Sequence, residues 1–245
     1  MSTAAVARFY DSTIGKKAVM AVTGVVLFGF LILHMLGNLQ VFLGPAVMNH
    51  YAETLHGNLP LLWGVRSLLL VSVVLHTWAA LQLSALKNAA RPVAYVKTAN
   101  VQATTASRTM MLSGPVIAFF VIGHLLHLTT GTIHPQFVEL HAYQNLVYGF
   151  SNPIVAGLYI VCMILVGLHL RHGIWSMFQS IGFNHPRYTP LIQKFAAIFS
   201  WVLIAGFISV PISVLAGIVR SACWNWRRND LPDRSRNVGE KTDSS

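Results

Sequence analysis

The chain has 245 residues, of which 54% are hydrophobic and only 10% carry a charge. A soluble globular domain carries about 25% charged residues, so this composition excludes that class and indicates a polytopic membrane protein. The net charge of +10 does not indicate nucleic-acid binding, because the basic residues flank apolar stretches, as topology signals do. The two cysteines, Cys162 and Cys223, are too few for a disulfide framework or a metal motif.

Five stretches of the chain are long and apolar enough to cross a membrane as helices, which takes about 20 apolar residues each. In chain order they are 18–43, 61–86, 109–130, 153–181 and 191–219. Proline and glycine residues, which start or stop helices, lie in the breaks between the spans. The sequence therefore predicts an all-α membrane protein, with five transmembrane helices in a bundle over residues 1–219 and a polar, disordered tail over 220–245.

The distribution of lysine and arginine predicts the orientation of the spans. Basic residues lie before the first span, between the second and third, and around the junction of the fourth and fifth: Arg8, Lys16, Lys17, Lys87, Arg91, Lys97, Arg108, Arg171, Arg187 and Lys194. Segments 44–60 and 131–152 carry none. We therefore expect a multi-pass protein of the bacterial inner (cytoplasmic) membrane with a cytoplasmic N-terminus. The basic tail then lies outside, against the rule.

One histidine lies in each of the first four spans: His34, His76, His124 and His169. An ionisable side chain inside a bilayer is costly and rare, so each one is a functional candidate. At about 1.5 Å per residue, His34 lies about 15 Å and His124 about 10 Å from the outer edge, whereas His76 and His169 both lie about 24 Å from it. The depths predict an outer pair, His34 with His124, and an inner pair, His76 with His169.

Two histidine pairs at different depths favour two b-type haems stacked across the membrane. A neutral imidazole is a good iron ligand, and two axial histidines leave the iron for electron transfer rather than for O₂ chemistry. We therefore expect the bundle to enclose two haems, with His34 and His124 on the outer iron and His76 and His169 on the inner one. For any single histidine, the alternative is a residue that hydrogen-bonds between helices.

Four further polar residues in or beside the spans are candidates for haem contacts. His127 and His172 each follow a predicted ligand by three residues and share its helix face. We expect them to contact haem propionates or a quinone, or to lie at the membrane interface. Arg66 and Arg171 are predicted propionate contacts, since guanidinium groups pair well with carboxylates. The alternative for Arg66 is snorkelling to the outer interface, and the alternative for Arg171 is a topology anchor only.

Three segments around the histidines resemble those of one protein family. Segment 21–38 contains Thr-Gly and then His-Met-Leu-Gly-Asn, and segment 120–127 reads Phe-Val-Ile-Gly-His-Leu-Leu-His. Segment 168–178 has His169, three residues, Gly173, an aliphatic residue and an aromatic one. Over about residues 8–219 the chain is similar to the five-helix, diheme cytochrome b membrane anchor of succinate:quinone oxidoreductases, the succinate dehydrogenases and fumarate reductases.

The resemblance implies an electron-transfer subunit in the membrane. It would pass electrons between an iron–sulfur subunit and a quinone, menaquinone or ubiquinone, through two haem b groups. A flavoprotein subunit with FAD and the iron–sulfur subunit would bind on the cytoplasmic face, and membrane lipid would surround the helices. The resemblance favours His169 over His172 as the ligand, and its helix pairing agrees with the depths. Succinate would not react on this chain, which has neither a dinucleotide fingerprint nor a cysteine cluster.

The resemblance also gives Glu53 a candidate role. In some family members an acid in the loop after the first span serves the quinone, and a proton-coupled quinone reaction needs a titratable group at its site. An exposed loop acid is the alternative.

Two rival functions remain open. One is the anchor of another quinone-linked dehydrogenase, such as a hydrogenase or a formate dehydrogenase, against which the pattern at 169–175 argues. The other is a haem-free transporter or assembly protein with polar histidines, which would be colourless when purified.

Overall fold

The computed structural model describes residues 9–90, 105–183 and 185–220. Within this part of the chain, every regular element is helical. In chain order the helices are α1 (Thr13–Leu39), α2 (Pro45–Gly57), α3 (Leu59–Ala89), α4 (Thr105–His124), α5 (Ala142–Phe150), α6 (Pro153–Ser180) and α7 (Thr189–Leu215). The predicted tail lies outside the described residues except for Arg220.

Five of these helices, α1, α3, α4, α6 and α7, are long and apolar enough to cross a membrane. Large apolar side chains stand out from their surfaces: Ile154 is 80% exposed and Phe119 is 76% exposed. Soluble monomers rarely expose continuous apolar surface on this scale. The chain is therefore an all-helical, multi-pass membrane protein, and this part of the prediction is confirmed.

Local sequence signals begin and end the long helices. The Ser12 hydroxyl caps α1 by accepting the N–H of Gly15 at 2.9 Å, and Asn152 caps α6 just before Pro153. The last helix, α7, ends at Leu215 rather than at the predicted residue 219. It ends early because Gly217 has a φ of +71°, the left-handed conformation that closes helices.

Helices α1 and α4 both continue into a turn of different pitch. After α1, Gln40–Leu43 forms a 3-10 turn. After α4, Leu125–Thr129 forms a π turn, in which the N–H of Thr130 donates to the carbonyl of Leu125 at 2.9 Å. Such π turns often occur at functional sites, and this one directly follows His124.

The five long helices form two packed helix pairs, and the fifth helix, α7, packs against them. Helix α1 packs along α3, and α4 packs along α6, while α7 packs on α6 and also contacts α1. Helix α6 and α7 approach closely at Gly167, where a Cβ atom would overlap the side chain of Ile204. The two pairs meet through α1 and α6.

The two short helices, α2 and α5, pack on each other across one end of the bundle, which we call the capped end. Asn49 of α2 joins them: its side-chain oxygen accepts the N–H of Tyr143 at 3.0 Å, and its amide donates to Gln144 at 2.9 Å. Buried apolar side chains form a cluster beneath them that includes Val41, Met48, Leu146, Val147, Phe150, Tyr159, Val210 and Val214. Neither short helix is among the five spans that the sequence predicts.

Candidate functional site

The histidines of the first four spans meet in two pairs, each between two helices. In the capped-end pair, the ring centroids of His34 on α1 and His124 on α4 are 5.6 Å apart. In the opposite-end pair, the ring centroids of His76 on α3 and His169 on α6 are 6.4 Å apart. The structure brings together the partners that the depths in the sequence pair with each other.

Both separations are close to the distance that one shared metal ion requires. An imidazole nitrogen binds a transition metal at about 2 Å, which places the centroids of two opposed imidazoles about 6 Å apart. The described residues contain no group of three or more His, Cys, Asp or Glu side chains that could hold a bare metal ion. A pair of histidines is instead the donor set of a haem iron, whose macrocycle fills the remaining positions.

The two helices that carry each pair do not pack directly on each other. Among the described residues, α1 with α4 and α3 with α6 are not closely packed helix pairs. Glycines lie beside two of these histidines: Gly123 precedes His124, and Gly173 follows His169 by one helical turn. A Cβ atom on either glycine would meet no atom within 4 Å. The paired imidazoles supply the two nitrogen donors that a b haem takes from a protein, so the residues present fit a haem.

Each imidazole of the opposite-end pair lies against a buried hydroxyl group. His76 Nδ1 is 3.2 Å from Thr23 Oγ1 on α1, and His169 Nδ1 is 3.4 Å from Ser113 Oγ on α4. Thr23 is 6% exposed and Ser113 is 0% exposed, so water has no access to these contacts. In both imidazoles Nε2 is the nitrogen left for a metal.

The capped-end pair lies among aromatic rings instead. Phe30 stacks on His34 at 5.2 Å, and Phe120 stacks on His124 at 5.9 Å between centroids. The ring of Tyr159 lies 5.9 Å from His124. Within the described part of the chain, the buried Nδ1 atom of His124 has no hydrogen-bond partner. Aromatic and apolar surroundings of this kind suit a hydrophobic, planar ligand.

His127 belongs to a buried polar cluster under the cap, which we call the cap cluster: His127, His134, Asn145 and Tyr159. His127 Nδ1 lies 2.9 Å from the Tyr159 hydroxyl, and its ring stacks on His134 with centroids 5.0 Å apart. Gly149 leaves room for this ring, since a Cβ atom there would lie 2.8 Å from its Cε1. His127 is therefore buried at 7% exposure, a position that the sequence analysis did not foresee.

His134 of the cap cluster is fixed as a neutral imidazole by backbone groups. Its Nε2 lies 3.0 Å from the carbonyl oxygen of Asn145, which can only accept. Its Nδ1 accepts the N–H of Gln136 at 3.2 Å, so Nε2 carries the hydrogen. His134 is thus a structural residue of the cap. The sequence offered a signal for it only in the turn residues that surround it, Gly131 and Pro135.

The other predicted site residues lie at the surface or one turn away from a pair. His172 is half-buried on α6, one turn beyond His169. Arg171 is exposed and lines a groove between α6 and α7 together with Trp201. The guanidinium of Arg66 lies 5.3 Å from the centroid of the Trp63 ring.

Glu53 lies on α2 rather than in an irregular loop. Its side chain is 59% exposed, and its carboxylate is 3.9 Å from Nδ1 of His50. An exposed contact of this length contributes little to stability. The position leaves Glu53 free to act at the surface of the capped end.

Comparison with known proteins adds no assignment. No family model matches the chain, and no curated protein or solved structure matches it. The histidine pairs and their surroundings therefore carry the functional argument.

Proposed function

We propose that this chain is a diheme cytochrome b membrane anchor of a succinate:quinone oxidoreductase. The observation that carries the proposal is the pairing of four intramembrane histidines, at 5.6 and 6.4 Å between ring centroids, on helices that do not pack directly on each other. His76 and His169 would hold one b haem, and His34 and His124 the other. When bound, such a haem accepts and donates one electron at a time.

The chain's own residues have three tasks in this function. The four histidines would hold the two irons and exclude exchangeable ligands, which would keep the sites in electron transfer. The apolar surface of the helices keeps water from the cofactors. Because the two pairs lie at different depths along the bundle, two haems bound there would be redox centres in series between the membrane faces.

The partners follow from the proposed orientation. With the N-terminus in the cytoplasm, the opposite-end pair lies toward the cytoplasmic face, where a flavoprotein and an iron–sulfur subunit would dock. The capped end then faces outward, and Glu53 on α2 is the candidate proton-exchanging group for a quinone there. The choice of succinate over another electron donor rests on the sequence pattern from His169 to Trp175.

Electron donors added to purified complex would test this function. The complex is isolated through a tag on this chain, and the b-haem absorption is followed after addition of succinate, formate or H₂. The proposal predicts reduction by succinate and none by formate or H₂. The competitive inhibitor malonate should abolish the reduction by succinate.

Two results would contradict the proposal in different ways. Haem that responds to formate or H₂ but not to succinate would assign the chain to another dehydrogenase. A purified complex without haem would remove the electron-transfer function altogether and favour a transporter or assembly protein.

A further inference from the structure

We infer that Thr23 and Ser113 are positioning residues for the opposite-end pair: their hydroxyls fix one tautomer of His76 and His169 and make both imidazoles stronger iron ligands. This inference rests on the proposed function. Thr23 is the threonine of the Thr-Gly pair in segment 21–38, and neither Thr23 nor Ser113 was predicted to be a site residue.

The hydrogen of the Thr23 hydroxyl is already committed within α1. Oγ1 donates to the carbonyl of Val19 at 2.7 Å, with the carbonyl of Met20 at 3.2 Å. Only the lone pairs of Oγ1 are left to face His76 Nδ1 at 3.2 Å. Nδ1 therefore carries the hydrogen and donates it to Thr23. The lone pair of the neutral ring is then on Nε2, the nitrogen available to a metal.

Ser113 repeats the arrangement across α4 and α6. Its Oγ donates to the carbonyl of Met110 at 3.4 Å and lies 3.4 Å from His169 Nδ1. By analogy with His76 we infer the same tautomer for His169, with Nε2 free. Both Ser113 distances exceed the usual range of about 2.5–3.2 Å, whereas Thr23 has one short bond that fixes its hydroxyl. Thr23 is therefore expected to have the larger effect.

These contacts have a consequence for the haem iron. A ligating histidine that donates its second N–H to an acceptor is fixed in orientation and becomes more basic. A more basic imidazole stabilises the ferric iron relative to the ferrous iron, so the reduction potential falls. At the capped end, His124 Nδ1 has no such acceptor among the described residues. The hydroxyl contacts therefore tune one haem site and not the other.

Redox titration of the purified whole complex tests the inference. Thr23→Val removes the hydroxyl and keeps the side-chain shape, Thr23→Ser keeps the hydroxyl, and Ser113→Ala removes the second contact. The spectral component that is missing in His76→Ala identifies the opposite-end haem. Haem is counted per chain in every variant, so that a lost cofactor is not mistaken for a shifted potential.

Thr23→Val should raise the potential of the opposite-end haem by the equivalent of an about threefold change in the ratio of reduced to oxidised iron, about 30 mV for one electron. Ser113→Ala should give a smaller shift in the same direction. Thr23→Ser should restore the wild-type value. The capped-end haem should keep its potential in all three variants.

The possible failures are distinguishable from each other. Two haems with unchanged potentials in both Thr23→Val and Ser113→Ala overturn the inference and leave the proposed function in place. Wild-type complex without haem overturns the proposed function itself. If Thr23→Val loses the opposite-end haem, its retention in Thr23→Ser supports the inference, and loss in both variants leaves the decision to the potential of Ser113→Ala.

Discussion

At the capped end, the His34–His124 pair lies beneath two short helices and a cluster of buried apolar side chains. The His76–His169 pair has no equivalent cover within the described chain, and it is oriented by two hydroxyls, from Thr23 and Ser113. Dense packing orients a side chain because neighbouring atoms block its other rotamers, whereas a hydrogen bond orients it because donor and acceptor must be aligned. The same bundle thus orients two pairs of histidines by two different physical means.

Because the two pairs are oriented differently, we expect different substitutions to disturb them. The capped-end pair should depend on side chains that touch no iron ligand, because the cap is a cooperative packed unit. The opposite-end pair should tolerate changes in distant packing and respond to the loss of a single hydroxyl.

The largest expected effect comes from truncating the apolar core of the cap. Phe150 is 5% exposed within that core, so Phe150→Ala should destabilise the protein by about 3–5 kcal/mol. On heating in detergent, the capped-end haem should be released before the opposite-end haem. Thermal melts followed by the haem absorption band of each component measure this.

Ile154→Ala is the matched control for that variant, since Ile154 is at the same end and 80% exposed. It should melt like wild type. Release of both haems at the same temperature in Phe150→Ala would show that the two ends are not separate packing units.

A smaller effect is expected from the Tyr159 hydroxyl. Tyr159→Phe leaves the buried Nδ1 of His127 without its partner at 2.9 Å, which should cost about 1–3 kcal/mol. The lost hydrogen bond also frees the Tyr159 ring, which lies 5.9 Å from His124, so under the proposed function the low-spin ferric signal of the capped-end haem should shift while the other remains. Electron paramagnetic resonance and a thermal melt together check this expectation.

Tyr148→Phe serves as the comparison, because Tyr148 is 39% exposed and its ring also lies beside the cap cluster. It should leave both the melt and the spectrum unchanged. If Tyr159→Phe and Tyr148→Phe changed the melting temperature and the spectrum equally, the buried hydrogen bond between Tyr159 and His127 would not be the cause.

The five spans and the pairing of the histidines could be predicted because both follow from positions along the sequence. Long apolar runs specify the spans, and the fixed rise of a helix converts positions in the sequence into depths. Those depths were enough to pair His34 with His124 and His76 with His169.

The features that were missed depend on how helices are rotated and covered. The contacts of Thr23 and Ser113 require a particular face of each helix to point inward. A span that is apolar on all sides does not indicate in its sequence which face points inward. The burial of His127 at 7% exposure was not predicted, because it depends on α5, which covers this residue. The start of α2 was visible in Gly44 and Pro45, whereas the short α5 depends on its packing against the bundle.

The smallest structural effect is expected at Glu53. Its carboxylate is 59% exposed, so Glu53→Gln should change stability by less than about 0.5 kcal/mol. Under the proposed function it should nevertheless slow electron transfer to quinone severalfold, while succinate still reduces the haems. Assays with quinone and with an artificial electron acceptor separate the two steps.

Glu139→Gln changes another exposed acid in the segment between the third and fourth spans and should leave quinone turnover unchanged. Equal quinone turnover in wild type and Glu53→Gln would remove Glu53 from the quinone site without affecting the haem assignment.

Haem stoichiometry in single-ligand variants tests the paired-ligand model most directly. Purified complex from wild type, His34→Ala, His76→Ala and the exposed control His56→Ala is compared by dithionite-reduced minus oxidised spectra, with haem counted per chain. The account predicts two b haems in wild type and in His56→Ala, and the loss of a different haem in each of the other two variants. Two haems retained in His34→Ala and His76→Ala, or none in wild type, would contradict it.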